Sequence, residues 1–325
     1  MTGPNGVGKT NLLEALHVGS QGFSPRTRAE PRLVRFGEAA ARVKLAGTQG
    51  GTPFETEVDV APQTPKLIRL NGAPLASGEE LRLRLSALAF TPDRLAVVKG
   101  GPLVRRTYLD RMLGRLYPAR ANLSPDYARA LAQRNAALRR ARAGDSSLEA
   151  VEPWTEQVVG LGDELDRARA ELVSVLAPGF RAHAGALGLK DVALVYEERG
   201  LTAAELAERL ERDLERGTTG AGPHLRDATI AAGERELRAF GSQGEQRAAV
   251  LALVLAEADV LAERNGEPPL LLLDDVFSEL DRGRGEALLA RLPAGGQTVV
   301  TATDRPGMVT PDLVVEVRPG QARAA

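Results

Sequence analysis

The chain has 325 residues, a net charge of −1, no cysteine and three histidines. Its length suits one large domain or two ordinary ones, and its composition excludes disulfides, thiolate metal sites and a histidine-rich metal centre. The longest apolar run, 248–256, is far shorter than the roughly 20 residues that span a bilayer, and no signal peptide is visible, so a soluble, cytoplasmic protein is expected.

The chain begins with Gly3-Pro4-Asn5-Gly6-Val7-Gly8-Lys9-Thr10 after two residues, which satisfies the phosphate-loop pattern GxxxxGK[ST]. The glycines let backbone N–H groups close around phosphate oxygens. Lys9 adds positive charge at the β- and γ-phosphates, and Thr10 offers a hydroxyl to Mg²⁺. Asn11 to Leu16 reads as the helix that follows, and its N-terminus favours an anion. The candidate nucleotide-binding residues are therefore Gly3, Pro4, Asn5, Gly6, Val7, Gly8, Lys9, Thr10 and Asn11. A strand ordinarily aims such a loop, and only Met1 and Thr2 precede it here. The expectation is a late translation start or a truncated form. The strand ending at Asp274 would then lack a hydrogen-bonding neighbour.

Residues 41–46, 54–60 and 66–70 read as strands of a small, mostly antiparallel sheet, and Asn71-Gly72 is a strong turn signal. Residues 85–91 read as a further buried strand. Between Lys99 and Arg142 eleven basic residues face only Asp110 and Asp126, a local charge of +9. Such asymmetry suggests a polyanion partner, with Arg105, Arg106, Arg139, Arg140 and Arg142 as candidate DNA contacts. The plainer reading is an arginine-rich solvated helix face.

Long helices are expected over 103–186. Trp154, Val158, Leu161, Leu165, Ala168, Leu172 and Val175 follow a 4-3-4-3 spacing, one stripe of a helix, and Tyr127, Leu131 and Leu138 form a shorter stripe. A turn at 144–147 would pair the two helices as a short antiparallel, coiled-coil-like arm. Residues 192–196 read as a strand. Thr202-Ala203-Ala204-Glu205 is a capping box opening a helix to about 216, and a glycine-rich break follows at 217–223.

Leu270-Leu271-Leu272-Leu273-Asp274-Asp275 is a continuous apolar run ending in two carboxylates, which fits a strand of a parallel sheet buried on both faces. Ligands gather at the C-terminal end of such strands. Asp274 can hold Mg²⁺ through water, and Asp275 can orient or deprotonate an attacking water. Between the two motifs, Ser242-Gln243-Gly244 opens a helical run and offers a hydroxyl, N–H groups and a helix dipole to a phosphate. A second phosphate reader makes most sense acting on nucleotide held by another subunit.

This order resembles the ATP-binding-cassette ATPases: phosphate loop, insertion, signature turn, paired acids, then Ser278-Glu279-Leu280-Asp281. Transporter heads usually read Leu-Ser-Gly-Gly-Gln at the signature and carry a His after the paired acids. Here stand Ser242-Gln243-Gly244-Glu245-Gln246 and Thr301-Ala302-Thr303-Asp304. The chain more closely resembles the RecF family, bacterial recombination-mediator ATPases related to SMC heads. The resemblance rests on the phosphate loop through Ala15, Phe90-Thr91-Pro92-Asp93-Arg94-Leu95, Val98-Lys99-Gly100-Gly101-Pro102, Arg105-Arg106-Thr107-Tyr108-Leu109-Asp110, Gly222-Pro223-His224, Ser242-Gln243-Gly244 and the acids from Asp274. One departure is Leu225, which separates His224 from Arg226.

The resemblance implies an α/β fold: an ATPase head from 1–98 plus 218–325, with an inserted α-helical arm at 99–217. It implies ATP and Mg²⁺ as cofactors, an ATP-dependent homodimer, and binding of single-stranded or gapped DNA. It further implies RecR and RecO as partners in loading RecA, with roles in replication, repair and the SOS response, and no membrane. Asp275 is one methylene shorter than the Glu of fast cassette ATPases, so slow hydrolysis is expected. The alternative is the head of a transporter or another SMC-like machine. A transporter head would lack the basic arm, and a long-coil SMC head would need hundreds of intervening helical residues.

Overall fold

The computed structural model describes residues 1–325 except Arg28, Glu279 and Pro306. Short 3₁₀ turns aside, the chain runs α1 (Lys9–Gln21), β1 (Ala41–Gln49), β2 (Thr52–Ala61), β3 (Thr64–Leu70), β4 (Ala73–Leu75), α2 (Gly78–Arg84) and β5 (Ala87–Phe90). There follow α3 (Ala96–Lys99), α4 (Pro102–Leu116), α5 (Leu123–Ala143), α6 (Glu152–Ala186), β6 (Val192–Tyr196), α7 (Ala203–Glu208), α8 (Leu210–Arg216), β7 (Ala228–Ala232), β8 (Arg235–Glu236) and α9 (Leu237–Phe240). Last come α10 (Gln243–Asn265), β9 (Leu270–Leu273), α11 (Arg282–Leu289), β10 (Thr298–Val300), β11 (Val315–Arg318) and β12 (Gln321–Ala324). Among the described residues no helix is long and apolar enough to cross a membrane.

Two compact units result. The first comprises Met1–Leu95, Gly179–Asp191 and Gly241–Ala325, and the second Ala96–Pro178 and Val192–Phe240. Residues 218–240, which the sequence assigns to the head, lie in the second unit. The reason is strand pairing: β7 pairs antiparallel with β6 from Val192↔Ala232 to Tyr196↔Ala228, and β8 continues that sheet.

In the first unit, β1 to β4 form an antiparallel sheet in sequence order. Asn71 and Gly72 both have positive φ, 51° and 80°, the two-residue turn that matches strand twist between β3 and β4. Val58, Val60 and Ile68 from this sheet pack with Val18 of α1 and Leu81 of α2. A separate parallel sheet has the order β10-β9-β5. Leu271, Leu272 and Leu273 are fully buried in it, as a central parallel strand requires.

Strand β9 has hydrogen-bonded neighbours on both sides, so the expected loss of a partner beside Asp274 does not occur. Met1 and Thr2 lie elsewhere. Thr2 bridges Ala302 and Glu316 in parallel, with Thr2 N–H donating to Val315 O and Thr2 O accepting from Val317 N–H, both at 2.8 Å. These two residues therefore slot between the chain that follows β10 and strand β11.

In the second unit, Val158, Leu165, Ala168 and Leu172 of the expected α6 stripe are buried, and Trp154 and Leu161 are half-buried. The stripe fails at its end: Val175 is 42% exposed while Leu176 is fully buried. A straight helix turns every 3.6 residues, so its buried line drifts off a strict 3.5-residue repeat. On α5, Tyr127 and Leu138 face inward, and Ala130 and Arg134 take the place expected of the half-buried Leu131. Ala137 and Leu138 form a small core with Val151, against which Trp154, Leu210 and Leu214 pack. Thr202 caps its helix by accepting from Glu205 N–H at 3.1 Å, but the expected single helix is two, α7 and α8.

Candidate functional site

Parallel strands align their C-terminal ends, and at that edge the sheet presents Thr91, Asp274 and Thr301 after β5, β9 and β10. The glycine-rich loop before α1 belongs to the same unit. Gly3 has φ 153°, and a Cβ there would sit 2.5 Å from Val317 O, so no side chain fits. The loop is tied down by Gly3 N–H donating to Thr303 O at 3.2 Å and by Thr303 Oγ1 donating to Asn5 Oδ1 at 3.3 Å. The Lys9 ammonium donates to Gly3 O at 2.6 Å and Pro4 O at 2.9 Å. Gly6 and Gly8 take positive φ, and Gly8 precedes the first turn of α1. Pro4, Asn5, Gly6 and Asn11 are exposed, and Val7 is half-buried.

Thr10 Oγ1 donates to Asp274 Oδ1 at 3.1 Å, joining the loop to the strand edge across 264 residues of sequence. Asp274 Oδ1 also accepts from Thr301 Oγ1 at 2.6 Å, and Thr301 Oγ1 accepts from Asp275 N–H at 2.9 Å. A hydroxyl beside a buried carboxylate is the donor set of a hard, hydrated cation that takes its other ligands from phosphates and water. Among the described residues no group of three or more His, Cys, Asp or Glu side chains forms a self-sufficient metal cage. The arrangement therefore fits Mg²⁺ arriving with a nucleotide.

Asp275 has φ 47°, a conformation unfavourable for a non-glycine residue. Its carbonyl is clamped by Arg247 Nη2 at 2.9 Å and Ser278 Oγ at 3.0 Å. Among the described residues its half-buried carboxylate has no hydrogen-bonding or ionic partner. An immobile backbone carrying an uncommitted carboxylate suits a group that orients water.

Ser242 is the N-cap of α10. Its hydroxyl accepts from Glu245 N–H at 3.2 Å, and Glu245 Oε2 accepts from Ser242 N–H at 2.7 Å, a complete capping box. Ser242 and Gln243 are exposed and Gly244 is half-buried. Asp281 caps α11 by accepting from Arg284 N–H at 2.9 Å, whereas Glu279 lies outside the described residues.

The basic candidates divide. Arg105 is only 3% exposed and is held by both carboxylate oxygens of Asp227 and by Gly100 O at 2.8 Å. It is a buried structural pair and cannot reach a DNA phosphate. Arg106 is half-buried and donates to Arg226 O at 2.8 Å, and burial lowers its pKa. Arg139, Arg140 and Arg142 are exposed near the end of α5, with Arg139 reaching Gly217 O at 3.3 Å. The local +9 is offset by acids distant in sequence: Asp227, Asp213 on Arg134, and Glu171 on Arg120. Over the whole second unit, 20 basic residues face 20 acidic ones.

No family model matches the chain. It is 41% identical over 329 residues to the DNA replication and repair protein RecF of Anaeromyxobacter dehalogenans strain 2CP-C, covering 94% of this chain and 86% of that one. The RecF of Heliobacterium modesticaldum is 36% identical over 315 residues, covering 93% and 85%. The chain belongs to the RecF family. The recombination mediator protein RecF of the RecFOR pathway, solved with ATPrS, superposes with a TM-score of 0.85 at 27% identity over 99% of this chain and 90% of that one. An Smc head bound to the winged-helix domain of ScpA, 15% identical, has a TM-score of 0.56 and shares the fold. The α/β, ABC-ATPase-type head with a helical arm is thus the RecF fold.

Against the RecF pattern, Leu225 is exposed while Arg226 turns inward to Asp166 and Gly200 O, an internal tie. Sequence reasoning misses three residues at the strand edge. Thr301 stands out in the sequence only as a position lacking His, Thr91 only as part of a motif, and Arg247 only as a residue after the signature turn.

Proposed function

We propose that the chain is a DNA-repair ATPase in which ATP acts as a switch for dimerisation. The carrying observation is the meeting of Thr10 and Asp274 behind a phosphate loop whose lysine lies across its own mouth. In this reading Gly3, Pro4, Asn5, Gly6, Val7, Gly8 and Asn11 enclose the phosphates. Lys9 exchanges its two carbonyl partners for phosphate oxygens, a charge-assisted and stronger bond. Thr10 and Asp274 hold Mg²⁺, which when bound screens phosphate charge. Asp275 orients the attacking water, and its short reach keeps turnover slow, under ~1 s⁻¹ against typical enzyme rates.

Ser242 and Gln243 are exposed at the start of a long helix, with the half-buried Gly244 beside them, which supports a role for this turn in reading nucleotide on a second copy. Arg139, Arg140 and Arg142 meet DNA phosphates, single-stranded or gapped. Family membership supports RecR and RecO as partners, RecA loading, the SOS response and a cytoplasmic setting. In this reading the head comprises 1–95, 179–191 and 241–325, and the arm the rest.

Sedimentation with and without ATP tests the switch. Wild type is expected to dimerise with ATP, and Asp275→Asn to remain dimeric for longer. Ser242→Arg should bind ATP yet stay monomeric. That variant also removes a helix cap worth about 1 kcal/mol, so its melting is followed in parallel. A folded Ser242→Arg protein that still dimerises removes the turn from the interface.

A further inference from the structure

The parallel sheet sorts its side chains by face. Ala89 of β5 and Leu272 of β9 pack with Leu13 of α1. Phe90 lies on the other face, with the Arg247 guanidinium of α10 5.4 Å from its ring centroid. Side chains alternate along a strand, so the next residue of each chain returns to the α1 face. Those residues are Thr91 and Asp274. They stand opposite each other, because Phe90 pairs with Leu273 and Asp274 N–H donates to Phe90 O at 2.9 Å. Thr301 stands at the same level on the other side, because Val300 also pairs with Leu273. Asp274 is therefore flanked by a threonine on each neighbouring chain.

The two threonines differ. Thr301 is saturated, donating to Asp274 Oδ1 and accepting from Asp275 N–H. Thr91 is 1% exposed, and its hydroxyl has no hydrogen-bond partner among the described residues. Its own carbonyl accepts from Arg94 N–H at 2.9 Å, which fixes the backbone, and the following Pro92 has no N–H to offer the hydroxyl. A buried hydroxyl without a partner is unfavourable, and such groups are ordinarily satisfied by water or ligand.

We infer that Thr91 belongs to the cation shell of the nucleotide site: its hydroxyl, beside Asp274 on the α1 face, seats a water bound to the divalent cation. This rests on the nucleotide reading above. A water bound to a cation turns both hydrogens outward. Asp274 accepts one and Thr91 Oγ1 the other, which gives a carboxylate that binds through water a defined geometry. Thr91 is a positioning residue acting through that water.

The test separates nucleotide from metal. Thr91→Val removes the hydroxyl and keeps the branched shape, and Thr91→Ser keeps the hydroxyl. Binding of ATP is measured by calorimetry in EDTA and across a Mg²⁺ titration. Thr91→Val should match wild type in EDTA, while its Mg²⁺ half-saturation rises about 10-fold, the low end for loss of an outer-shell partner. Thr91→Ser should restore the wild-type value. Unchanged Mg²⁺ dependence in Thr91→Val overturns the inference, and so does an equal loss in EDTA, which marks a hydroxyl that only props the loop. Thr91→Ala, smaller than the native side chain, separates the same outcomes if Thr91→Val folds poorly. Wild-type protein that binds no ATP overturns the nucleotide reading itself, and this inference with it.

Discussion

The two units treat buried polar groups in opposite ways. In the second, the fully buried charged residues are paired within the unit, Arg105 on Asp227, Arg134 on Asp213 and Thr219, Arg169 on Asp110, and Asp166 with Arg226, although the half-buried Arg209 keeps one buried nitrogen without a partner among the described residues. In the first, the sheet edge keeps valence in reserve. Thr91 and the Asp275 carboxylate have no partner among the described residues, and Lys9 holds carbonyls that a phosphate can outcompete. Saturated charge specifies architecture, whereas unsaturated polarity at a strand edge marks where a ligand belongs.

Breaking one closed pair should have the largest effect. Asp213→Ala leaves the Arg134 guanidinium buried without its carboxylate, at a cost of about 3–5 kcal/mol. Urea unfolding measures this, and a loss below about 1 kcal/mol would mean the pair is no more important than one at the surface. On the open side, Lys9→Ala should spare stability but weaken ATP binding about 10- to 150-fold, as removal of a charged donor worth about 1.5–3 kcal/mol requires. Unchanged affinity would remove Lys9 from the site.

Smaller effects sharpen the contrast. Arg140 and Arg142 have no partner among the described residues and Arg139 has one backbone carbonyl. Replacing all three with Gln should leave the melting temperature unchanged and reduce the salt slope of single-strand binding by about 2, at about 0.7 per phosphate contact. An unaltered slope would place the DNA surface elsewhere.

The smallest effect concerns pH. His224 Nδ1 accepts from Tyr127 O–H at 2.7 Å and its Nε2–H donates to Thr219 O at 3.1 Å, so the neutral ring is the one held. Burial pushes its pKa below the ordinary 6.5. The unfolded chain therefore takes up this proton first as pH falls. The stability is complete above 6.5 and declines below it. Melting from pH about 7.5 to about 5.5 should show a shallow loss that His224→Gln reduces, and an identical slope in that variant would assign the acid sensitivity to other groups.

Local signals in the sequence are accurate because their causes are local. The Asn71-Gly72 turn, the Val192–Tyr196 strand and the four leucines before Asp274 all lie where their residue types demand. Arg105 misleads because its partner stands 122 residues away, and a stretch of sequence cannot show that its charge is already spent. Residues 218–240 mislead for a related reason: a glycine-rich break announces a turn and does not say which sheet the next strand joins. At the site, the motif spacing singles out Lys9, Thr10 and Asp274, and the structure joins Thr10 to Asp274. The threonines flanking Asp274 are not, because only register brings them level with it.

The seating of Met1 and Thr2 bears on the order of assembly. The phosphate loop is synthesised well before its partners: its anchors are Val315, Val317, Ala302 and Thr303, and its hydroxyl partner is Asp274. Contacts of such sequence separation are slow to form, since the intervening chain must be ordered or looped out first. Domains built from early sequence alone can fold during synthesis, but this loop cannot take its final shape until the chain through Val317 exists. The frame of the loop is therefore completed only after Val317 is made, and a nascent chain short of that point has Lys9 without the segments that hold its loop in place.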